Sequence, residues 1–227
     1  MREAGVRPGD LVVDVGAGAG ALTRPLAQSG ATVIALELDG RLAQRLASER
    51  VTVVQADAAT WAWPDREFAV VANLPFARCG AILAHLLNDP LVPLRRADVI
   101  VQWELAVKQT TVSPSTLRST YWRAWYELAL ARRLSRTAFS PVPGVDAAVL
   151  RVVRRRQPLV PPAQRLEYWR FLSDAFDRSG PPGRLGVVSR IEVKRLAPVL
   201  GFDPGARPRD LDAHQWAALF AATRRDA

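Results

Sequence analysis

Residues 11–20 read Leu-Val-Val-Asp-Val-Gly-Ala-Gly-Ala-Gly, and this stretch decides the fold of the first half of the chain. Its first five residues form a short apolar run, which is typical of a buried strand. The glycines that follow allow the backbone to approach a ligand closely, and residues 21–29 then have the pattern of a helix that ends at Gly30. A strand, a glycine loop and a helix N-terminus in this order are typical of nucleotide and nucleoside sites.

The strands that follow carry polar residues at their C-terminal ends. Strands are predicted at residues 33–36, 51–55, 68–72 and 99–102, and three of them are followed at once or closely by Glu37, Asp57 and Asn73. In a doubly wound parallel sheet these strand ends form the ligand crevice. An acid at Glu37 can bind both hydroxyls of a ribose, and Asp57 can accept a hydrogen bond from an adenine amino group. We therefore predict an α/β, doubly wound Rossmann-like sheet that binds a nucleoside cofactor.

The glycine loop alone does not identify that cofactor. Gly16-x-Gly18-x-x-Ala21 also fits a loose dinucleotide fingerprint, so a nicotinamide-dependent reductase is an open alternative. Such an enzyme would need a Tyr/Lys pair or a similar acid at the hydride site, and the predicted crevice contains none.

The rest of the chain predicts a second, smaller domain. Helices are expected at residues 41–50 and 81–87, a polar loop at 109–120, and strands at 121–130 and 147–153. Residues 154–158 have the composition of a linker. Three helices follow, at residues 163–178, 190–200 and 211–223, with Asp210 as the expected N-cap of the last. The predicted organisation is a cofactor-binding catalytic domain at residues 1–156 and a small helical, RNA-associated domain at residues 157–227.

The segment Asn73-Leu74-Pro75-Phe76 leaves the strand at residues 68–72 and suits a flat, amino-bearing heterocycle. The side-chain oxygen of Asn73 and the carbonyl of Leu74 can each accept a hydrogen bond from an exocyclic amino group. Phe76 can stack on the ring, and Pro75 restricts the backbone that aims these groups. The alternative is a strand that ends in a proline turn with Phe76 in the core.

Charge and composition narrow the class of protein. The chain has 227 residues, a net charge of +9 and a single cysteine, which fits a reducing cytosol and excludes a disulfide framework. Residues 95–156 hold 12 basic and 4 acidic side chains, whereas residues 1–94 hold 8 and 10. A basic middle segment favours a surface that faces a polyanion, and the cluster at residues 151–156 is the expected RNA contact, with a solvated edge as the alternative. No apolar run reaches membrane-spanning length, so we expect a soluble, cytoplasmic protein without a membrane or metal partner.

Several reactive residue types are expected to be structural. His85 and His214 have no second ligand nearby in sequence, and Cys79 is expected to be a small helix residue rather than a nucleophile. Trp122 and Tyr126 are expected on one face of a strand, in the core.

Taken together, these motifs resemble the rRNA adenine N6-methyltransferases, and within them the Erm macrolide-resistance enzymes of actinobacterial type. The resemblance extends over nearly the whole chain and is strongest at residues 9–156. The specific motifs are Asn73-Leu74-Pro75-Phe76 and Phe139-x-Pro141-x-Pro143-x-Val145-Asp146. Gln102-Trp103-Glu104-Leu105-Ala106 and Trp122-Arg123-Ala124-Trp125 are similar to the actinobacterial Erm pattern.

The resemblance implies transfer of a methyl group from S-adenosylmethionine to N6 of one adenine in 23S rRNA, and with it macrolide-type resistance. The target adenine would be flipped out of an RNA loop, and the enzyme would act as a monomer. The implied catalytic residues are Asn73, Leu74, Pro75, Phe76 and Phe139, with Phe139 closing the other side of the base. The implied cofactor residues are Gly16, Ala17, Gly18, Gly20, Glu37, Leu38, Asp57, Ala58 and Asn73.

The resemblance leaves two alternatives and shows one departure. The alternatives are a small-subunit rRNA dimethyladenosine transferase and a non-catalytic nucleic-acid-binding relative, against which the intact residues 73–76 argue. The departure is a Gln-Asn-Phe-Leu segment that the family carries before its first strand and that is not found in the ten residues ahead of Leu11. Weaker cofactor binding is the expectation for a chain without that segment.

Overall fold

The computed structural model describes residues 4–46, 51–140, 142–178, 180–184 and 188–224. Within them, seven strands form one sheet in the order β3-β2-β1-β4-β5-β7-β6. The strands are β1 (Leu11–Val15), β2 (Thr32–Glu37), β3 (Val51–Gln55), β4 (Phe68–Asn73), β5 (Leu94–Gln102), β6 (Tyr126–Leu134) and β7 (Ala147–Arg154). The first five pair in parallel, and β7 pairs antiparallel with β5. The predicted doubly wound, Rossmann-like α/β sheet is confirmed.

The centre of the sheet follows from its hydrophobic strands. All five residues of β1 are buried, as are the first five of β4. Such continuous apolar runs are characteristic of parallel strands covered on both faces. The strand order reverses direction between β1 and β4, which are neighbours in the sheet although β2 and β3 lie between them in sequence. This is the topological switch point, and the crevice opens at the C-terminal ends of these two strands.

Eight α-helices lie within the described residues, and four of them begin at a residue whose side chain caps the helix. They are α1 (Thr23–Gln28), α2 (Gly40–Ala43), α3 (Cys79–Leu87), α4 (Trp103–Thr110), α5 (Leu117–Trp122), α6 (Arg165–Asp177), α7 (Arg190–Leu200) and α8 (Ala213–Thr223). The side chains of Asp39, Thr116, Ser189 and Asp212 accept hydrogen bonds from first-turn amides of their helices. Gly201 ends α7 in the left-handed conformation, with a φ of 70°.

The polar loop predicted at residues 109–120 is confirmed for residues 111–116 and wrong at both ends. Residue 110 closes α4, which follows β5 directly, and residues 117–120 belong to α5. The hydroxyl of Thr116 accepts from the amide of Ser119 at 3.2 Å, and the Ser119 hydroxyl in turn accepts from the amide of Thr116. Part of the Ser/Thr-rich composition therefore belongs to a helix cap.

Three further boundaries differ from the prediction. The strand predicted at residues 121–130 begins only at Tyr126, because Trp122 ends α5; both side chains are nonetheless buried, as expected of core residues. Asp212, not Asp210, caps the last helix. Of the helix predicted at residues 41–50, the structure has a short α2 that ends at Ala43, and residues 47–50 lie outside the described part of the chain.

The chain divides into two compact units. The first comprises residues 1–106 and 127–154, and the second comprises residues 107–126 and 155–227. The predicted boundary after residue 156 lies two residues from this division, but the prediction left the returning segment 107–126 in the first domain. That segment changes the charge distribution. The first unit holds 15 Lys and Arg against 14 Asp and Glu, and the second holds 16 against 8.

The second unit has an aromatic core whose polar edges are mostly satisfied. Trp125 donates from Nε1 to the carbonyl of Val160 at 2.8 Å, and Trp216 donates to the carbonyl of Pro208 at 3.0 Å. Tyr168 packs edge-on against Trp125 and against Phe220. Burial raises the pKa of the Tyr168 phenol, which therefore stays neutral.

The arginines at residues 151–155 are used by the fold itself. Arg151 pairs with Asp98 at 2.8 Å, and Arg154 donates to the carbonyls of residues 90, 92 and 94. Arg155 donates from Nε to the carbonyl of Arg123 at 2.8 Å. Their donors are directed at backbone and carboxylate oxygens, so these three residues serve the fold. The RNA contact expected at residues 151–156 stays a prediction. Across the described residues, no helix is both long and apolar enough to cross a lipid bilayer.

We expect Asp98→Ala to lower the free energy of unfolding by about 2–4 kcal/mol, because it leaves two partly buried arginines without their carboxylate. Asp98 is only 6 % exposed, and it pairs with Arg96 from its own strand and with Arg151 across the ladder. Urea denaturation measures the change, with the exposed Asp65→Ala as the control. Equal stabilities of the two variants would show that the Asp98 pairs contribute nothing.

Candidate active site

The glycine loop and the exit of β4 are in direct contact. Gly16 follows β1 with a φ of 70°, and a Cβ atom there would lie 3.3 Å from Cδ of Pro75 and 3.6 Å from the carbonyl oxygen of Asn73. A side chain at this position would be strained in its backbone and crowded by the β4 exit. Glycine therefore lets the two segments predicted to hold the cofactor and the target base meet.

Glu37 lies at the end of β2 and is held by two backbone amides. Its Oε2 accepts from the N–H of Gly18 at 2.7 Å, and its Oε1 accepts from the N–H of Asp39 at 2.9 Å. The side chain is only 9 % exposed. Each carboxylate oxygen keeps further acceptor capacity in a fixed orientation, which is what paired donors such as the two hydroxyls of a ribose require.

Asp57, just past β3, has a partner that the sequence analysis missed. Its Oδ1 accepts from the amide of Ala59 at 2.9 Å, and its Oδ2 accepts from Nη2 of Arg78 at 2.6 Å. The Ala59 amide and the Arg78 guanidinium both lower the pKa of Asp57. Arg78 lies 21 residues from Asp57 in sequence, so no local sequence pattern predicts this ion pair.

The exit of β4 presents the predicted groups. Asn73 is exposed at the strand end, and the side chain of Leu74 is buried, with its amide donating to the carbonyl of Ile100 at 3.1 Å. The amide of Arg78 donates to the carbonyl of Pro75 at 2.8 Å and closes a tight turn. Phe76 is half-buried in that turn. The turn thus leaves the Asn73 amide and one face of Phe76 accessible to a ligand.

A cavity of about 510 Å³ unites most of the predicted residues. Its lining comprises Gly16, Glu37, Asn73, Leu74, Pro75, Phe76, Phe139, Ser140 and Pro143. Phe139 therefore lies with residues 73–76, as the sequence motif implies. Ser140 and Pro143 are additions from the same loop, and Pro141 lies outside the described residues.

A second, smaller cavity of about 80 Å³ is lined by three further cofactor candidates. Leu38, Asp57 and Ala58 line it together with Gly16, Glu37 and Arg78, and Leu38 is 64 % exposed. Ala17, Gly18 and Gly20 line neither cavity. Packing explains the glycine at position 20, because a Cβ atom there would lie 2.7 Å from Cδ2 of Leu46.

The loop that carries Phe139 is anchored at its far end. Asp146 accepts from Nη2 of Arg133 at 2.8 Å and from the amide of Arg136 at 3.4 Å, and both interactions lower its pKa. The carbonyl of Asp146 accepts from the amide of Trp103 at 2.9 Å, and the Arg133 guanidinium lies 4.6 Å above the Trp103 ring. Asp146 therefore fixes the loop rather than contacting a ligand.

His85 and Cys79 line neither cavity. The His85 ring lies 2.8 Å from the carbonyl of Trp61. Cys79 is buried, and burial raises the pKa of its thiol to about 11, so the nucleophilic thiolate is not formed near neutral pH.

Asp14 is a buried acid that the sequence analysis did not single out. It is 1 % exposed within β1, and its Oδ2 accepts from the hydroxyl of Thr23 at 2.7 Å, which ties the strand to the start of α1. Burial raises its pKa to about 6, and the neighbouring charge of Glu37 adds to the rise. An acid within an otherwise apolar strand was the available signal.

The residues present fit a nucleoside with a cationic tail. The glycine at position 16 leaves open a space that a Cβ atom would fill beside the β4 exit. Glu37 offers oriented acceptors for a ribose, and Asp57 and Leu38 offer an acceptor and an apolar surface for a purine. Acidic groups on this side of the crevice also suit a positive charge.

Comparison with known proteins shows which family the chain resembles. Residues 1–181 match the family model for ribosomal RNA adenine dimethylase. The mycinamicin-resistance protein MyrB of Micromonospora griseorubida is 34 % identical, over 94 % of this chain and 70 % of its own length. Ribosomal RNA small subunit methyltransferase A of Leifsonia xyli subsp. xyli is 35 % identical, over 94 % of this chain and 77 % of its own length. The crystal structure of the 23S rRNA methyltransferase ErmE superposes with a TM-score of 0.84 at 29 % identity, covering 97 % of this chain and 93 % of that one.

We expect Asp14→Asn to stabilise the protein at neutral pH and to leave it unchanged near pH 4. In the folded protein the pKa of Asp14 is about 6, above the ordinary value of 3.8. The unfolded state therefore ionises first, and the wild-type protein becomes less stable as pH rises between those two values. Above pH 6 the loss amounts to about 2–3 kcal/mol. Asparagine keeps an oxygen for the Thr23 hydroxyl and carries no charge. Urea denaturation from pH 4 to 8 gives the difference, with Asp65→Asn as the control; a difference that does not change with pH would contradict the assignment.

We expect Arg78→Met to tighten binding of S-adenosylhomocysteine by about two- to five-fold, the range for an exposed ion pair. The guanidinium occupies one oxygen of Asp57 at the edge of the small cavity, and its removal releases that acceptor. Isothermal calorimetry measures the affinity, and the exposed Arg66→Met is a control of equal charge. Weaker binding by Arg78→Met would mean that Arg78 supports the ligand instead of competing for Asp57.

Proposed function

The chain belongs to the ribosomal RNA adenine dimethylase family, and we propose that it methylates N6 of one adenine in 23S rRNA and thereby confers macrolide-type resistance. As a member of this family it is an rRNA adenine methyltransferase, and S-adenosylmethionine is its cofactor. The observation that carries the proposal is the shared cavity of about 510 Å³, which joins the glycine loop and Glu37 to the exit of β4. A methyl donor and an acceptor base can meet there.

The proposed cofactor site runs along the ends of β1, β2 and β3. Gly16 and its loop would hold the methionine end, Glu37 the ribose hydroxyls, and Asp57 the adenine amino group, with Leu38 and Ala58 beside the ring. When bound, S-adenosylmethionine supplies an electrophilic methyl group on a sulfonium. The fixed orientation of the Glu37 carboxylate supports its part of this assignment.

The proposed base site is the exit of β4. The Asn73 side-chain oxygen and the Leu74 carbonyl accept the two N–H groups of the adenine N6. This draws its lone pair out of conjugation with the ring and fixes its direction. Phe76 and Phe139 cover the two faces of the base, while Pro75 keeps the turn rigid. The amino proton leaves after the nitrogen has become cationic, so Asn73 needs no basicity of its own.

The target adenine has to leave its stack to reach this cavity. Unstacking costs a few kcal/mol and is least costly in an RNA loop, so we propose a flipped adenine in a loop of 23S rRNA as the substrate. We further propose that the enzyme acts as a monomer in the cytoplasm, where ribosomal RNA is found. The single buried cysteine suits that reducing compartment.

A small-subunit rRNA dimethyladenosine transferase is the second candidate, because the small-subunit enzyme of Leifsonia is as similar in sequence as MyrB. The TM-score of 0.84 with ErmE over almost the full length of both chains favours the 23S substrate.

The two candidates are separated by the labelled product. Purified protein is incubated with methyl-labelled S-adenosylmethionine and either 23S or 16S rRNA, and primer extension then locates the modified nucleotide. We expect label at one adenine of 23S rRNA. Label confined to 16S rRNA would establish the second candidate, and no label in either RNA would contradict both.

We expect Asn73→Ala and Phe76→Ala each to abolish most methyl transfer while S-adenosylhomocysteine affinity stays within a few-fold of the wild type. Loss of one acceptor or of one stacking face costs about 1–3 kcal/mol in the interaction with the base. Phe76→Tyr keeps an aromatic face and is the matched control, for which we expect substantial activity. Near-normal turnover by both alanine variants would show that the β4 exit does not hold the target base.

A further inference from the structure

The second unit carries almost all of the net positive charge of the protein, +8 of +9. Its 16 Lys and Arg against 8 Asp and Glu contrast with the near balance of 15 against 14 in the unit that holds the active site. The arginines at residues 151, 154 and 155 make contacts within the fold. Of these three, only Arg155 lies in the second unit, so the other arginines of that unit are the candidates for a basic surface.

A concave basic site lies in that unit. It is a cavity of about 770 Å³, within the size range of ligand pockets. Its lining comprises Phe176, Arg178, Gly180, Pro181, Gly205, Arg207, Pro208 and Arg209. Three arginines and no acidic residue line it, so the local potential is positive.

The backbone that carries two of these arginines is anchored on both sides. Arg207 and Arg209 flank the buried Pro208, whose carbonyl accepts from Nε1 of Trp216 at 3.0 Å. The carbonyl of Arg209 accepts from the amide of Ser115 at 2.7 Å and from its hydroxyl at 3.1 Å. Ser115 is buried, and it belongs to the segment 107–126 that returns into this unit. The backbone at Arg207 and Arg209 is therefore held in place by these hydrogen bonds.

Their side chains are exposed and directed to no carboxylate. Among the described residues, neither Arg207 nor Arg209 forms an ion pair. The neighbouring acids Asp203, Asp210 and Asp212 accept from backbone amides instead. Asp203 accepts from the amide of Gly205 at 2.7 Å, and Asp210 accepts from the amide of Arg207 at 3.0 Å. Both guanidinium groups keep their planar sets of donors for an external anion.

An aromatic ring completes the site. Phe176 is half-buried near the end of α6, and its ring centroid lies 6.0 Å from that of Trp216, which is fully buried. Contact with a buried indole holds the Phe176 ring in place while part of it faces the cavity. Guanidinium groups beside an aromatic face match the two parts of a nucleotide, because the phosphate pairs with arginine and an unstacked base stacks on the ring.

We propose that this cavity binds a single-stranded segment of the RNA substrate, with Arg207 and Arg209 on phosphates and Phe176 against a base. The inference rests on the proposed function in that the substrate is an RNA. It adds a second RNA-binding site, in the second unit, to the base site at the β4 exit. A duplex offers this cavity phosphates but no free base, so the site prefers single strands.

The test compares the salt dependence of RNA binding. A fluorescent oligouridylate of about 12 nucleotides is titrated with wild type and with the double variant Arg207→Ala/Arg209→Ala at several salt concentrations. Each lost phosphate contact removes about 0.7 from the slope of log K against log salt, so we expect the slope to fall by about 1.4. Affinity at low salt should fall on the order of ten-fold. The matched control is Arg118→Ala/Arg170→Ala, which removes two exposed arginines of the same unit from outside the cavity.

Three results would overturn the proposal. The first is a salt slope in the double variant that equals that of the wild type. The second is a fall in the slope of the control variant as large as that of the double variant. The third is a loss of affinity for a 12-base-pair RNA duplex as large as the loss for the single strand. Phe176→Leu gives an independent arm, because it should weaken single-strand binding several-fold without changing the salt slope. Binding of S-adenosylhomocysteine checks that each variant is folded, since the candidate cofactor residues all lie in the first unit. Methylation by the wild type tests the proposed function separately, so either proposal can fail alone.

Discussion

The site depends on the close approach of two loops at the switch point of the sheet. Gly16 leaves β1 with a positive φ and packs against Asn73 and Pro75 at the exit of β4. The two strands are neighbours in the sheet although more than fifty residues separate them in the chain. Because the strands are parallel, their C-terminal ends open on the same edge, and the missing side chain at Gly16 lets both exits border one cavity. The proposed donor and acceptor sites are adjacent for this reason.

The features that were predictable from the sequence are those with a local cause. β1 and β4 are short, largely apolar runs bounded by glycine or polar residues, and buried parallel strands require that composition. The polar residues at their ends were assigned to the crevice by the geometry of the fold class alone. Phe139 was placed by family resemblance, and its position in the cavity agrees with that placement.

The features that were missed have long-range causes. Asp57 pairs with Arg78 across 21 residues, and Arg154 donates to carbonyls more than sixty residues away. A basic run in the sequence gives no sign of whether its donors face solvent or the backbone of a distant strand. The same limit applies to residues 107–126, whose membership of the second unit depends on contacts such as that of Ser115 with Arg209. The charges counted along the sequence therefore identified the basic segment at residues 95–156, but they did not show that the net positive charge lies in the second unit, residues 107–126 and 155–227.

The separation of charge between the units answers two opposed electrostatic demands. A sulfonium cofactor is a cation and is attracted by carboxylates, and Glu37 and Asp57 line the cavity at the proposed cofactor site. RNA is a dense polyanion and is repelled by the same groups. The first unit, whose charge is nearly balanced, can therefore have carboxylates at the cofactor site if the second unit supplies most of the electrostatic attraction for RNA. The excess of basic residues in the second unit meets that condition, so the charge asymmetry follows from the chemistry that one protein has to combine.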